Sequence, residues 1–259
     1  MTSLVAIRCT DGVVVGADSS ATFGPHPQVK TIEQTYDHKI AIIGGHIIVA
    51  GTGQVGHGQR FNAVVQRAWD QKKLSGKSEI EIMKILAADG LQDFASTFVQ
   101  ANNIGYSALV AYPASDRAAL CEIVGANGFQ PELKEENGLW FTSAGSGQMI
   151  TDPFLALLRQ VFWKDAAPNL QGGIFTTLWA LQHACDVNPG GIKEPISIAV
   201  LERDKGKYHA RMLEKAELEE HGNMVAAGRD HFAGFRDILL GKGQATNVPP
   251  LPQPKVDGA

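Results

Sequence analysis

The sequence predicts an α+β fold of two antiparallel β-sheets covered by paired helices. Three observations carry that expectation. Strand patterns come in hairpins, helical periods come in two pairs, and the order along the chain is strands, helices, strands, helices, strands. A doubly wound parallel sheet would instead alternate strand and helix, because every parallel crossover needs one. At 259 residues the chain suffices for one large domain or two small ones. Its 44% hydrophobic and 19% charged content is that of a globular core and excludes a disordered chain.

The elements follow in order. Residues 3–9 form a β-branched run that turns at Thr10-Asp11-Gly12 and returns as Val13 to Asp18. Asp-Gly between two such runs signals a hairpin, because the turn needs positive φ. A second hairpin runs from Lys39 to Ile43, turns at Gly44-Gly45 and returns from Ile47 to Ala50. The link from Phe23 to His38 holds two prolines and little periodicity, and is expected to be loop. Beyond Gln59, Phe61, Val64, Val65, Ala68 and Trp69 recur at helical spacing. Ser78 to Glu81 reads as a capping box opening a second helix through Ile82, Ile85, Leu86, Leu91, Phe94 and Phe98. Strands are expected over 107–112, 118–124 and 139–143, helices over 149–163 and 175–186, and strands over 195–202 and 207–212. A charged, helical appendix spans 213–245, and four prolines in 246–259 mark an extended, disordered tail.

Composition narrows the function. A net charge of −4 supplies no global basic field, so neither nucleic acid nor an anionic membrane is expected as a partner. No apolar run reaches the length of a membrane span. Met1-Thr2-Ser3-Leu4 lacks the basic and apolar segments of a secretory signal. Cys9, Cys121 and Cys185 are odd in number and widely spaced, so neither a disulfide framework nor a zinc site is expected and the default location is cytoplasmic. The eight histidines show no metal-ligand spacing, and no metal or cofactor is expected. Gly51-Thr52-Gly53-Gln54-Val55-Gly56 matches the dinucleotide fingerprint, yet the next element after its helix is another helix rather than a strand. Glycines there better serve close approach of a backbone amide to a reacting group. Gly145-Ser146-Gly147 resembles half of a serine-hydrolase elbow, but Ser143 stands where the elbow needs glycine. Thr2 is the informative position. Removal of Met1 leaves a hydroxyl and a free α-amine on one residue, with an unperturbed amine pKa of about 7.7–8.0, so nucleophile and base come preassembled.

In this company the chain resembles the proteasome β-subunit family of N-terminal-nucleophile hydrolases. The uninterrupted stretch from Thr2 to Gly24, including Asp11-Gly12-Val13-Val14-Val15-Gly16-Ala17-Asp18 and Ala21-Thr22-Phe23-Gly24, is similar to the family's opening. His38-Lys39-Ile40 through Val49-Ala50-Gly51-Thr52-Gly53, then Gly145-Ser146-Gly147, then Asp186-Val187-Asn188-Pro189-Gly190-Gly191 resemble three further motifs in the family's order. The resemblance implies a four-layer α-β-β-α sandwich over residues 1–212. It implies Thr2 as nucleophile, Lys39 as the buried cation keeping the amine neutral, and Asp18 as that lysine's partner. It further implies Gly53 as the oxyanion donor, Ser146 and Asp186 as supports of the amine, and Ala21, Thr22 and Gly51 as the substrate-binding edge. Stacked homo-oligomeric rings, a polypeptide substrate and an ATPase unfoldase as partner are implied as well. The longer loop before Lys39 makes Lys30 a rival for the lysine role; Lys39 is preferred because the downstream strand then aligns without a gap. Pro189 stands where the family has serine, which removes one hydroxyl from the network around the amine. A same-fold amidohydrolase acting on small amides and a catalytically weak ring scaffold are the competing readings.

Overall fold

Two central strands are apolar on both faces, and this sets the layering. β1 (Leu4–Arg8) and β2 (Gly12–Ala17) are buried at every position, as strands must be when one face meets a second sheet and the other meets helices. The structure, a computed structural model, describes residues 1–23, 32–36, 39–164, 166–187 and 191–241. Lys30, His38, Asn188, Pro189, Gly190 and the proline-rich tail therefore lie outside the described residues.

The chain continues through β3 (Ser20–Phe23), β4 (Ile32–Thr35), β5 (Ile40–Ile43) and β6 (Ile47–Gly53). Gly44 and Gly45 both have positive φ, +60° and +72°, the conformation a tight hairpin demands between β5 and β6. Two helices follow, α1 (Val55–Asp70) and α2 (Glu79–Ala95). The capping box is formed: the Glu81 amide donates to Ser78 Oγ, and the Ser78 amide donates to Glu81 Oε2 at 2.9 Å. Next come β7 (Tyr106–Ala114), β8 (Arg117–Val124), β9 (Gln130–Lys134), β10 (Phe141–Ala144), α3 (Gln148–Phe162), α4 (Leu170–Val187), β11 (Ser197–Asp204) and β12 (Lys207–Met212).

One sheet has the order β10-β1-β2-β11-β12 and the other β5-β6-β7-β8-β9, with every pairing antiparallel. Between them lies a core of small and branched side chains, including Leu4, Val13, Val15, Ile48, Leu109 and Leu120. The second sheet's outer face packs with α1 and α2 around Phe61, Phe94 and Phe129, and α4 and α3 cover the first sheet. The result is the four-layer α-β-β-α sandwich. β6 is antiparallel to both its neighbours, so the glycine run at its end sits in no parallel crossover unit of the dinucleotide-binding kind.

Four elements depart from the sequence expectation. β3 and β4 pair across what reads as loop, Ser20 opposite Thr35 and Ala21 opposite Gln34. β9 is an edge strand whose Pro131 costs no ladder bond there, which hides it from a pattern search. α4 begins at Leu170, well before residue 175, although Gly172 and Gly173 follow at once. Those glycines answer to packing rather than propensity. A side chain on Gly173 would run into Cys9 Sγ, and one on Gly172 would meet Trp163. The Leu170 amide donates to Asp11 Oδ1 at 2.7 Å, so the aspartate of the first hairpin turn also caps this helix.

By contacts the chain divides into two compact units, Met1–Met212 and Leu213–Ala259. Within the second, Lys215–Leu239 form one helix, α5, opened by a reciprocal Glu214/Glu217 cap. Among the described residues no helix is long and apolar enough to cross a membrane.

Phe61 is fully buried and meets Phe129 edge-on at 5.3 Å between ring centroids. Phe61→Ala is expected to lower the unfolding free energy by about 3–5 kcal/mol, read from denaturant midpoints at unchanged slope.

Candidate active site

Asp18 closes the second strand of the first hairpin and is 2% exposed. A buried carboxylate is stable only if its lone pairs are taken up, and here four donors converge on it. Oδ1 accepts the Ser3 amide at 2.8 Å and Lys39 Nζ at 2.6 Å; Oδ2 accepts the Ser20 amide at 3.0 Å and the Lys193 amide at 3.4 Å. Asp18 thereby joins the segment after Thr2, the start of β3, the start of the second hairpin and the approach to β11.

Lys39 immediately precedes β5 and is buried, with Asp18 its ion-pair partner. Burial pulls its pKa below the ordinary 10.5, opposed by the charge and the hydrogen bond of Asp18. Between that depressed value and 10.5 the unfolded chain binds more proton than the folded one, so Lys39's contribution to stability rises with pH through that window. The half-buried Cys185 thiol interacts electrostatically with both partners; burial first, then the Asp18 carboxylate, push it up to about 12, so it carries no charge near neutrality.

Thr2 is held from the other side by the turn after β10. The Thr2 amide donates to Ser146 Oγ at 3.1 Å, and the Gly147 amide donates to the Thr2 carbonyl at 3.0 Å. Gly145 has φ +92°, and a side chain there would strike the Thr2 carbonyl oxygen. Glycine is thus required for the turn to close over the residue. Gly53, at the end of β6, has φ +110°, and its Cβ would run into the Gly105 carbonyl.

Thr2, Lys39, Gly51, Gly53 and Ser146 line one cavity of about 470 Å³, together with Ala21 and Thr22 of β3. Asp18 stands behind Lys39. Asp186 is placed elsewhere: it is exposed in the last turn of α4 and is not among the cavity's lining residues. Met1 is present, and its ammonium group donates to Thr22 Oγ1 at 2.8 Å, so the Thr2 nitrogen is an amide here. No cluster of three or more His, Cys, Asp or Glu side chains with metal-binding geometry occurs among the described residues.

Several lining residues escape a motif search. Ser20 Oγ is buried without a hydrogen-bond partner among the described residues, as is Asn62 Oδ1. Tyr36, Gln59, Asn62 and Tyr106 also face the cavity. The only signal in the sequence is helical spacing: Val55, Gln59 and Asn62 form a stripe on α1 beside the buried stripe of Phe61, Val64, Val65 and Ala68.

The geometry agrees with the comparisons to known proteins. The family model described as Proteasome subunit matches residues 2–132, more than half of the chain. The chain belongs to the proteasome subunit family. Its structure is similar to that of "Anbu (ancestral beta-subunit)" from Yersinia bercovieri, with a TM-score of 0.66 and 13% identity over 97% of this chain and 100% of that one. It is also similar to Anbu from Hyphomicrobium sp. strain MC1, with a TM-score of 0.65 and 14% identity over 95% of this chain and 100% of that one. A Gly-1 mutant of the Hyphomicrobium protein gives 0.65 and 14% over 90% and 97%. At such identities the likeness is one of fold. No curated protein matches the chain in sequence.

Asp18→Ala leaves the Lys39 cation buried without its partner and strips three amides of their acceptor. It is expected to cost about 3–5 kcal/mol of stability in denaturant unfolding. Asp89→Ala, which breaks the exposed Lys73–Asp89 pair at 2.9 Å, should cost under about 1 kcal/mol.

Proposed function

We propose that the chain is the catalytic subunit of a proteasome-like threonine peptidase, with Thr2 as nucleophile once Met1 is removed. The observation that carries this reading is the Asp18–Lys39 pair, buried beside the cavity into which Thr2 is clamped. With Met1 gone, the Thr2 α-amine accepts the proton of its own Oγ as that oxygen attacks the substrate carbonyl. The Lys39 cation lowers the proton affinity of both groups, which keeps the amine neutral and favours the alkoxide. Ser146, which already accepts the Thr2 N–H, orients the amine. Collapse of the tetrahedral intermediate passes the proton to the leaving amine and gives an ester; water, deprotonated by the same α-amine, then hydrolyses it.

Gly53 fits the oxyanion role because β5 begins opposite Ala50, leaving the end of β6 beyond that strand's reach. The positive φ of +110° that glycine permits at Gly53 sets the direction in which its amide can meet a substrate oxygen. β3 supports peptide binding by strand addition: among the described residues it pairs with β4 alone, so its second edge is free beside Ala21 and Thr22. Asp186, exposed in the last turn of α4, supports the amine only through a neighbouring group. The same reading places the sites inside stacked homo-oligomeric rings in the cytoplasm, entered by unfolded polypeptide that an ATPase partner delivers.

Intact mass before and after reaction with an epoxyketone, which needs both an amine and a hydroxyl, tests the proposal. A starting mass lacking methionine and one stoichiometric adduct mapped to Thr2 are expected. Retained methionine, or a free Thr2 that takes no adduct, would overturn it. Thr2→Ala should abolish hydrolysis and Lys39→Ala should lower it at least about 100-fold, both with assembly intact by sedimentation. The pH profile of kcat/KM should be bell-shaped. Its acid limb reports the amine, below the ordinary value of about 7.7–8.0 because of the Lys39 cation, and its alkaline limb, where Lys39 loses its charge, falls below 10.5 because burial lowers that pKa.

A further inference from the structure

We infer that Thr151 is a positioning residue of the candidate site, because its hydroxyl closes a ring of hydrogen bonds that holds the turn after β10 against Thr2. The inference rests on the reading of Thr2 as nucleophile and adds a residue on which that reading depends.

The turn from Gly145 to Gly147 supplies two contacts to Thr2, through Ser146 Oγ and the Gly147 amide. It is soft by composition. Gly145 and Gly147 flank Ser146, and glycine has more backbone freedom to lose than any other residue. α3 opens at Gly147 without a side-chain cap among the described residues. A turn built this way keeps one geometry only if something outside it ties it down.

Three side chains make that tie. Ser143 and Thr151 are fully buried. Ser143 Oγ donates to Asp152 Oδ1 at 2.5 Å, and Thr151 Oγ1 donates to Ser143 Oγ at 2.8 Å. The same Thr151 hydroxyl lies 3.1 Å from the Gly147 carbonyl, so its single proton is shared between two acceptors. Asp152 sets the direction of the chain. An ionised carboxylate only accepts, so it takes the Ser143 proton and leaves that oxygen's lone pairs to Thr151. Gln148 Nε2 donates to Asp152 Oδ2 at 3.0 Å and holds the carboxylate from its other side.

These bonds form a closed circuit. Ser143 stands opposite Val5 in the β10–β1 ladder, which fixes it relative to the strand that follows Thr2. From Ser143 the circuit passes to Thr151, then to Gly147, and from the Gly147 amide back to the Thr2 carbonyl at 3.0 Å. Removing the Thr151 hydroxyl opens it between β10 and the start of α3. The Gly147 carbonyl still accepts the Thr151 amide, so α3 survives while the turn loses its tether. Displacing a reacting group by about 1 Å can cost about 100-fold in rate.

The test uses the full chain with Met1 removed and follows epoxyketone addition at Thr2, read as the saturating rate kinact and the half-saturating concentration KI. Thr151→Val is expected to lower kinact at least about 10-fold, with KI within about 2-fold of the parent. Thr151→Ser, which restores the hydroxyl, should recover kinact to within about 3-fold. Ile82→Ala, a change at a buried position in α2, should lower stability and leave kinact unchanged, so lost stability alone does not imitate the effect. Ser143→Ala opens the circuit at a second link and should reproduce the kinact loss, which keeps the test decisive if Thr151→Val does not fold. Hydrogen exchange at the Gly147 amide needs no nucleophile, and in both variants it should speed up at least about 10-fold. An unchanged kinact, a KI that moves with it, or a Thr151→Ser variant no better than Thr151→Val would overturn the inference. A parent chain that takes no adduct removes the nucleophile reading instead, and exchange at Gly147 then decides whether Thr151 holds the turn.

Discussion

A single buried carboxylate ties together the segments around the cavity. Asp18 cannot be sheltered from water without partners, and the partners it takes come from four separate stretches of chain. The Ser3 amide fixes the backbone next to Thr2. The Ser20 amide fixes the start of β3, and the Lys193 amide ties in the approach to β11. Lys39 is drawn below the surface as the counter-charge, at the foot of the second hairpin. The same convergence holds the Lys39 cation in the wall of the cavity that Thr2 also lines.

The sandwich around it is a problem of close approach. Two sheets face each other through small and branched residues, and α4 lies on β1 and β2 closely enough that a side chain on Gly16 would meet Thr177 at 2.5 Å and Leu181 at 2.8 Å. Glycines in the sequence therefore carry two different meanings. Gly44 and Gly45 satisfy a turn, whereas Gly145 and Gly173 leave room for another segment's atoms. Only the first kind announces itself locally, because a turn's conformational demand sits within a few residues.

That distinction explains which parts of the fold were legible. The Gly-Gly hairpin, the Ser78/Glu81 box and the alternation of strand pairs with helix pairs rest on interactions within a few residues and stand where the pattern put them. The first hairpin also forms, but neither Asp11 nor Gly12 has the positive φ expected of it, and Gly12 instead leaves room for the Leu201 carbonyl. The β3–β4 pair was hidden because its strands are four residues each and its linker is rich in proline. β9 was hidden by Pro131, which an edge position tolerates. The start of α4 was hidden by Gly172-Gly173, whose poor helix propensity is overridden by packing against Cys9 and Trp163. At the site, Lys39 pairs with Asp18 and Ser146 accepts the Thr2 amide. Asp186 lies outside the cavity although its motif pointed to the amine.

By itself the sequence determined the class of fold and the family, because periodicity, turn chemistry and motif order are written along the chain. Tertiary structure alone decided which residues share the cavity. Val55, Gln59 and Asn62 are simply one stripe of an amphipathic helix until the structure shows that they line a cavity with Gly53 and Tyr106. The unpaired oxygen of Asn62 is likewise a property of everything that fails to reach it. Hydrogen-bond satisfaction is a three-dimensional sum over neighbours distant in sequence, and no local pattern encodes it.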